Sequence, residues 1–169
     1  MSQIWKDEKA IPVTLIQAGP VTITQIRTKE KDGYEAIQVN FGRHLREFRT
    51  QGSEYKVGDV LYVGQFKEGD KVKVSGLNRG RGFQGVVKRH GFHGGPKSHG
   101  QKDRFRAPGS IGATAPQRVM PHRKMPGHMG QERKTIKNLE IAEIDKEKNI
   151  LAIKGAVPGM RGTILEIKK

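Results

Sequence analysis

Apolar positions in this chain fall in short, separated runs. Ile11-Pro-Val-Thr-Leu-Ile-Gln-Ala18 and Val21-Thr-Ile-Thr-Gln-Ile-Arg-Thr28 are rich in β-branched residues and are split by Gly19-Pro20, a turn signal. Tyr34-Glu-Ala-Ile-Gln-Val-Asn-Phe41 alternates after the turn residues Lys31-Asp32-Gly33, placing Ile37, Val39 and Phe41 on one face. Asp59–Val63 and Lys71–Ser75 predict two more strands, the second with Val72 and Val74 inward. Asn138–Ile144, Asn149–Lys154 and Thr163–Ile167 predict three further strands, separated by Asp145–Lys148 and Gly155–Gly159. About eight short strands at regular spacing predict an antiparallel barrel or sandwich. The expected core faces include Val13, Leu15, Val39, Phe41, Val72, Val74, Ile141 and Ile153.

The strand pattern lapses between Gly76 and Lys134. These 59 residues contain 12 of the 22 Gly, 5 of the 8 Pro and 5 of the 6 His, but only 14 apolar residues. That is too few for a core of their own. Strands on both sides must close one core, so the segment leaves the β-structure and returns to it. This divides the chain into residues 1–75, an inserted segment 76–134 and residues 135–169, with a short helix expected near 83–90. A connection of this length points to function.

Charge sharpens the division. The chain carries 32 Lys and Arg against 17 Asp and Glu, a formal net charge of +15. The inserted segment holds 13 cations (Arg79, Arg81, Lys88, Arg89, Lys97, Lys102, Arg104, Arg106, Arg118, Arg123, Lys124, Arg133 and Lys134) against only Asp103 and Glu132. It therefore accounts for +11, and the other 110 residues for +4. Such a segment calls for a polyanionic partner, most simply a nucleic acid. Charge alone also fits histone-like binders and cationic membrane binders. A solvated, disordered arm is opposed by three features. Phe83, Phe92 and Phe105 are interleaved with the cations, Arg outnumbers Lys by 8 to 5, and Gly and Pro are placed singly. An arm ordered when RNA neutralises it satisfies all three.

Other chemistries lack their residues. With no Cys there is no disulfide, thiolate nucleophile or Cys-ligated metal. No run of 18 apolar residues occurs, and the polar Met1–Lys9 is neither a secretory signal nor an acid-free transit peptide. His90, His93, His99, His122 and His128 lie among cations with almost no carboxylates, which disfavours a divalent metal. No nucleophile, base or paired-acid motif appears, so no enzyme, cofactor or small-molecule substrate is expected. Gly80-Arg-Gly82-Phe-Gln-Gly85 matches G-x-G-x-x-G but lacks the βαβ context of a dinucleotide site. Its glycines instead suit close backbone approach to RNA phosphates, as do Gly109, Gly112, Gly127 and Gly130. His90 and His99 join the cations as candidate RNA contacts.

Ordered blocks in this region carry a resemblance. Gly82-Phe-Gln-Gly-Val-Val-Lys-Arg89, Ser98-His99-Gly100, Arg106-Ala-Pro-Gly-Ser-Ile-Gly112, Lys124-Met-Pro-Gly-His-Met-Gly130 and Val157-Pro-Gly159 closely resemble the ribosomal protein L3 family of the large subunit, bacterial type. The match covers Ile11 to about Phe41 and Leu45 to the C-terminus. The resemblance implies a closed six-stranded β-barrel like that of translation factors. It implies an extension threading through large-subunit rRNA toward the peptidyl transferase centre, an early role in subunit assembly, and neighbours of the L-fourteen and L-nineteen families. On matching positions, Arg81, Lys88, Arg89, His99, Arg104, Arg106, Arg123, Lys124 and Arg133 would contact rRNA. The innermost tip would comprise Ser110, Ile111, Gly112, Ala113, Thr114, Ala115, Pro116 and Gln117.

The chain departs from the family pattern in three places. Met1–Trp5 reads as the end of the family's opening strand, so that strand is expected to be missing. Phe41-Gly-Arg-His-Leu-Arg-Glu-Phe-Arg49 is nearly contiguous where the family carries a longer insertion. At the tip Gln117 follows Pro116, whereas the family's methylated Gln precedes its Pro, so that modification is not carried over. The resulting expectation is a structural, rRNA-binding constituent of the cytoplasmic ribosome. The alternative from another class is a free-standing nucleic-acid chaperone or histone-like binder.

Overall fold

Two isoleucine pairs with the spacing I-x-x-I dictate how the β-structure is built. Strict alternation would put Ile23 and Ile26, or Ile141 and Ile144, on opposite faces. The computed structural model, which describes residues 1–6, 8–50 and 55–169, resolves both cases with a bulge. In one ladder Ile23 pairs with Val39 and Ile26 with Ile37, with the register shifting between Ile23 and Gln25. In the other, Ile141 pairs with Ile153 and Ile144 with Leu151, with the shift between Ile141 and Glu143. One extra residue restores parity, so both isoleucines of each pair face the same side.

The described residues form twelve strands. In order they are β1 (Ser2–Lys6), β2 (Lys9–Gln17), β3 (Val21–Arg27), β4 (Ala36–Phe41), β5 (His44–Arg49), β6 (Val60–Leu61), β7 (Lys71–Leu77), β8 (Phe83–Gln84), β9 (Gly127–His128), β10 (Arg133–Asp145), β11 (Ile150–Lys154) and β12 (Leu165–Lys168). Two short helices, α1 (Lys29–Asp32) and α2 (Val86–His90), complete the elements with a 3-10 turn at Val63–Gln65. The ladders make a six-stranded sheet in the order β1-β2-β11-β10-β7-β12, a four-stranded sheet β5-β4-β3-β6 and a two-stranded ribbon β8-β9. The fold is mainly β, as expected, and its large sheets are two open ladders.

Local chemistry explains the connections. Gly42, at φ 61, opens the two-residue loop between Phe41 and its partner His44. Between β10 and β11 the Asp145 carboxylate accepts from the backbone N–H of Glu147 (3.1 Å) and Lys148 (3.0 Å), and Asn149 takes the left-handed conformation at φ 52. Gly33, at φ 80, ends α1.

The chain divides into two compact units. The first comprises Met1–Val74, Ile136–Val157 and Glu166–Lys169, and the second Ser75–Thr135 with Pro158–Leu165. In the first, Val13, Ile23, Val72, Val74, Ile141, Leu151 and Ile153 are buried, and Ile23, Ile37 and Val39 pack with Val21, Ile26, Phe48, Tyr55 and Leu61. Side chains on β12 reach neighbours in the same unit. Arg46 lies 3.5 Å from Glu166, Lys168 sits 4.9 Å above the Phe48 ring, and the Lys169 ammonium donates to Asp70 at 2.8 Å. Lys169 and the Lys67 N–H hold the Asp70 carboxyl below its usual range, so this tie persists at neutral pH and is lost only as acid protonates the group.

Several expectations need correction. Leu15, assigned to the core, is 56% exposed. Its partner on one side is Ala152, but β1 ends opposite Val13, so Leu15 lies on the unpaired edge of β2. Phe41 is only half-buried. The strand expected at Asp59–Val63 shrinks to Val60–Leu61, because Val63 turns into the core in the 3-10 turn. The short helix expected near 83–90 is present as α2, Val86–His90, after Phe83–Gln84 has paired as β8. The N-terminal residues Ser2–Lys6 form the strand β1, paired along β2, as a strand end read at Met1–Trp5 allows. The strand β5 was missed because His44–Arg49 carries only Leu45 and Phe48 as apolar residues.

The core assignment can be tested by chemical denaturation. Ile153→Ala, at a fully buried position, should cost about 2–5 kcal/mol, whereas Leu15→Ala should stay within about 0.5 kcal/mol. Equal losses would refute the burial described.

Candidate nucleic-acid interface

The second unit begins at a tight root. Ser75 is buried and its hydroxyl lies 2.9 Å from that of Thr135. Gly76 is enclosed by Leu165, the Ile164 carbonyl and Pro158, leaving no room for a Cβ. From this root the two limbs run antiparallel. The Asn78 N–H donates to the Glu132 carbonyl, and the Glu132 N–H donates to the Asn78 side chain, both at 2.9 Å. The Arg81 N–H donates to the Met129 carbonyl and the Met129 N–H to the Gly82 carbonyl, again at 2.9 Å. The β8–β9 pairing continues the stem through Phe83↔His128 and Gln84↔Gly127.

α2 closes the stem. Its first residue, Val86, is buried, and Gly91, at φ 73, ends it. The Arg89 guanidinium donates to the Met125 carbonyl at 2.7 Å, and the His90 ring nitrogen lies 3.0 Å from the same oxygen. Beyond this point, among the described residues, Gly91–Pro126 carry no helix or strand. Two bonds shape the loop: the Gly95 N–H donates to the Phe105 carbonyl (2.8 Å), and Arg123 donates to the Ser110 carbonyl (2.7 Å). Residues 110–120 are all exposed.

The predicted cations therefore separate by role. Arg89 and Arg123 brace the arm's own backbone. Arg79, Arg81, Lys88, Lys97, Lys102, Arg104, Arg106, Arg118 and Lys124 are exposed along it, as are His99 and Arg133. Phe83 is 75% exposed, and Phe105 is exposed as well. Of the 17 acids only Asp103 and Glu132 lie in this unit. The ion pairs Arg27–Asp32, Arg27–Glu47, Arg46–Glu166 and Lys169–Asp70 all belong to the other unit. Among the described residues no group of His and carboxylates could hold a metal.

The glycines separate too. Gly130, at φ 89, is buried where a Cβ would strike the Arg79 carbonyl and the Gly80 backbone, and Gly127 is filled by the Arg89 guanidinium. Gly80 has only Gln131 nearby. Gly82 (φ 66) and Gly109 (φ 74) are required by conformation. Gly85 and Gly112 have neither a positive φ nor any neighbour within 4 Å, so nothing in the chain itself calls for glycine at Gly112, and only its helix-capping position does so at Gly85. Sequence reasoning missed Arg161, which this unit includes and which is exposed. A lone Arg between Gly159 and Gly162, far from the basic segment, gave no signal.

Comparison with known proteins gives a consistent result. The family model for ribosomal protein L3 matches residues 5–151. The chain is similar to proteins named large ribosomal subunit protein uL3. Those from Dehalococcoides mccartyi and Herpetosiphon aurantiacus are 47% and 45% identical, over 191 and 194 positions. One from Carboxydothermus hydrogenoformans is 46% identical. Each alignment spans 100% of this chain and 92–93% of the relative. The 194-position alignments exceed the 169 residues of the chain by 25, so the relatives carry internal residues without counterparts here.

The two classes of glycine make a test. Gly130→Ala should destabilise the stem by about 1–3 kcal/mol and speed amide exchange at Arg81 and Met129. Gly112→Ala should leave both unchanged. Equal behaviour would show that Gly130 is not fixed by the stem.

Proposed function

We propose, because this chain belongs to the ribosomal protein L3 family, that it is a structural constituent of the large ribosomal subunit and binds large-subunit rRNA. It is not an enzyme, and its place in the ribosome makes it cytoplasmic. One observation carries the binding mode: a single unit holds most of the excess positive charge, exposed along a loop whose only regular structure is at its stem. Thirteen cations between Gly76 and Lys134 against two acids favour an outside polyanion.

In this reading residues 76–134 penetrate the rRNA, with Ser110–Gln117 innermost, toward the peptidyl transferase centre. Arg79, Arg81, Lys88, Lys97, Lys102, Arg104, Arg106, Arg118, Lys124 and Arg133 neutralise phosphates, with His90 and His99 as further contacts. Arg89 braces the stem, and Arg123 bonds the Ser110 carbonyl within the arm. Gly85 and Gly112 are the sites of closest backbone approach, because a Cβ there would meet open space in the free chain. RNA would be recognised by shape, with little base readout. The same placement suits an early role in assembly, beside proteins of the L-fourteen and L-nineteen families.

The remaining strands close into a barrel of the translation-factor type. Support comes from the edges of the two ladders: Arg46 on β5 pairs with Glu166 on β12, and Lys168 on β12 covers Phe48 on β5. Side chains thus bring together two strands that share no ladder.

Two measurements test the function. If about 8–11 phosphates are contacted, log affinity for large-subunit rRNA should fall against log salt with a slope of roughly −6 to −10, and a slope shallower than about −3 would contradict the reading. The protein should also sediment stoichiometrically with large subunits through a moderate-salt wash. A free-standing chaperone would be stripped.

A further inference from the structure

The segment Pro158–Leu165 is remote in sequence from the arm, yet it belongs to the same unit. It packs at the root, where Pro158, Ile164 and Leu165 enclose Gly76. Between these anchors lies a tight turn. The Thr163 N–H donates to the Met160 carbonyl at 3.1 Å, closing residues 160–163, and the Thr163 hydroxyl accepts from the Met160 N–H at 3.0 Å. Gly162, at φ 79, occupies the third turn position, which requires a positive φ. Gly159, at φ 104, lies so close to Thr163 that a Cβ would overlap the threonine side chain. The turn is therefore held from both ends, and its two remaining side chains point outward. Met160 is 63% exposed and Arg161 is also exposed.

We infer that this turn is a second RNA-contact element, with Arg161 binding a phosphate and Met160 resting against the neighbouring sugar or base face. Four observations converge. The turn is closed by two hydrogen bonds between Met160 and Thr163 and leaves the Met160 and Arg161 side chains exposed. Arg161 is the only cation in Pro158–Leu165, which contains no acid. The unit as a whole has only Asp103 and Glu132 as acids, and both lie in the arm. Finally, the turn's flanking residues Pro158, Ile164 and Leu165 enclose Gly76 at the root of the arm, so Arg161 is carried by the same packed element. A preset guanidinium loses little freedom on binding and suits the planar, two-oxygen geometry of a phosphate. A protein partner would be expected to find complementary acids or an apolar patch, whereas Met160 stands beside a lone cation.

This inference rests on the rRNA-binding reading, and the experiment separates the two. Filter binding uses the full chain and protein-free large-subunit rRNA, over a salt series with tRNA as competitor. The variants are Arg161→Ala, Arg161→Lys and an arm variant with Lys102, Arg104 and Arg106 changed to Gln. Arg161→Ala should weaken binding about five- to tenfold and flatten the salt slope by about 0.7–0.9, with an unchanged thermal midpoint. Arg161→Lys should recover the slope but only part of the affinity. If the arm variant loses affinity while Arg161→Ala matches the parent, the turn is not an RNA contact and the rRNA reading stands. If neither variant differs from the parent, the rRNA reading itself fails.

Discussion

The uneven distribution of charge between the two units constrains everything else. The β unit holds 15 of the 17 acids and pairs several of them with its own cations. The second unit holds two acids against the 13 cations of Gly76–Lys134, plus Arg161. Its apolar residues are too few to bury such a chain against itself. The stem is therefore kept by backbone hydrogen bonds, a helix of five residues and glycines that let the limbs meet. Beyond the stem the chain relies on what lies outside it. Attraction for a polyanion and lack of a core are the same property seen from two sides.

The β unit coheres by conventional means: β-branched strands, two bulges that align I-x-x-I pairs, and central strand β11 with Leu151, Ala152 and Ile153 consecutively buried. The boundaries between the units fall within β7 and β10, after Val74 and before Ile136. At the root of the arm Ser75, Thr135, Gly76 and the Pro158–Leu165 turn pack closely.

Much of this was legible from residue type and order. The strand runs at Val21–Thr28, Lys71–Ser75, Asn138–Ile144 and Asn149–Lys154 were visible because β-branched residues cluster there. The charge partition isolated the arm by counting alone. Leu15 misled because alternation predicts a face, and a face is buried only where neighbouring strands extend far enough to cover it. β5 was invisible because only Leu45 and Phe48 of its residues are apolar, too few to show a pattern, although it pairs register by register with β4. The roles of Arg89, Arg123, Gly127 and Gly130 could not be read either. Composition marks an arginine or glycine as available to RNA, and only the fold shows which of them the chain already uses. Arg161 was silent because the root that its turn packs against, at Gly76, lies some eighty residues away in sequence.

Hydrogen exchange in the free chain and in the assembled large subunit tests the central claim most directly. The account predicts that amides from Gly91 to Lys124 exchange close to the unfolded rate in the free protein and become strongly protected in the subunit. Amides of β10 and β11 should be protected in both states. Equal protection of Gly91–Lys124 in both states would show that the arm folds by itself, and would contradict the dependence on RNA.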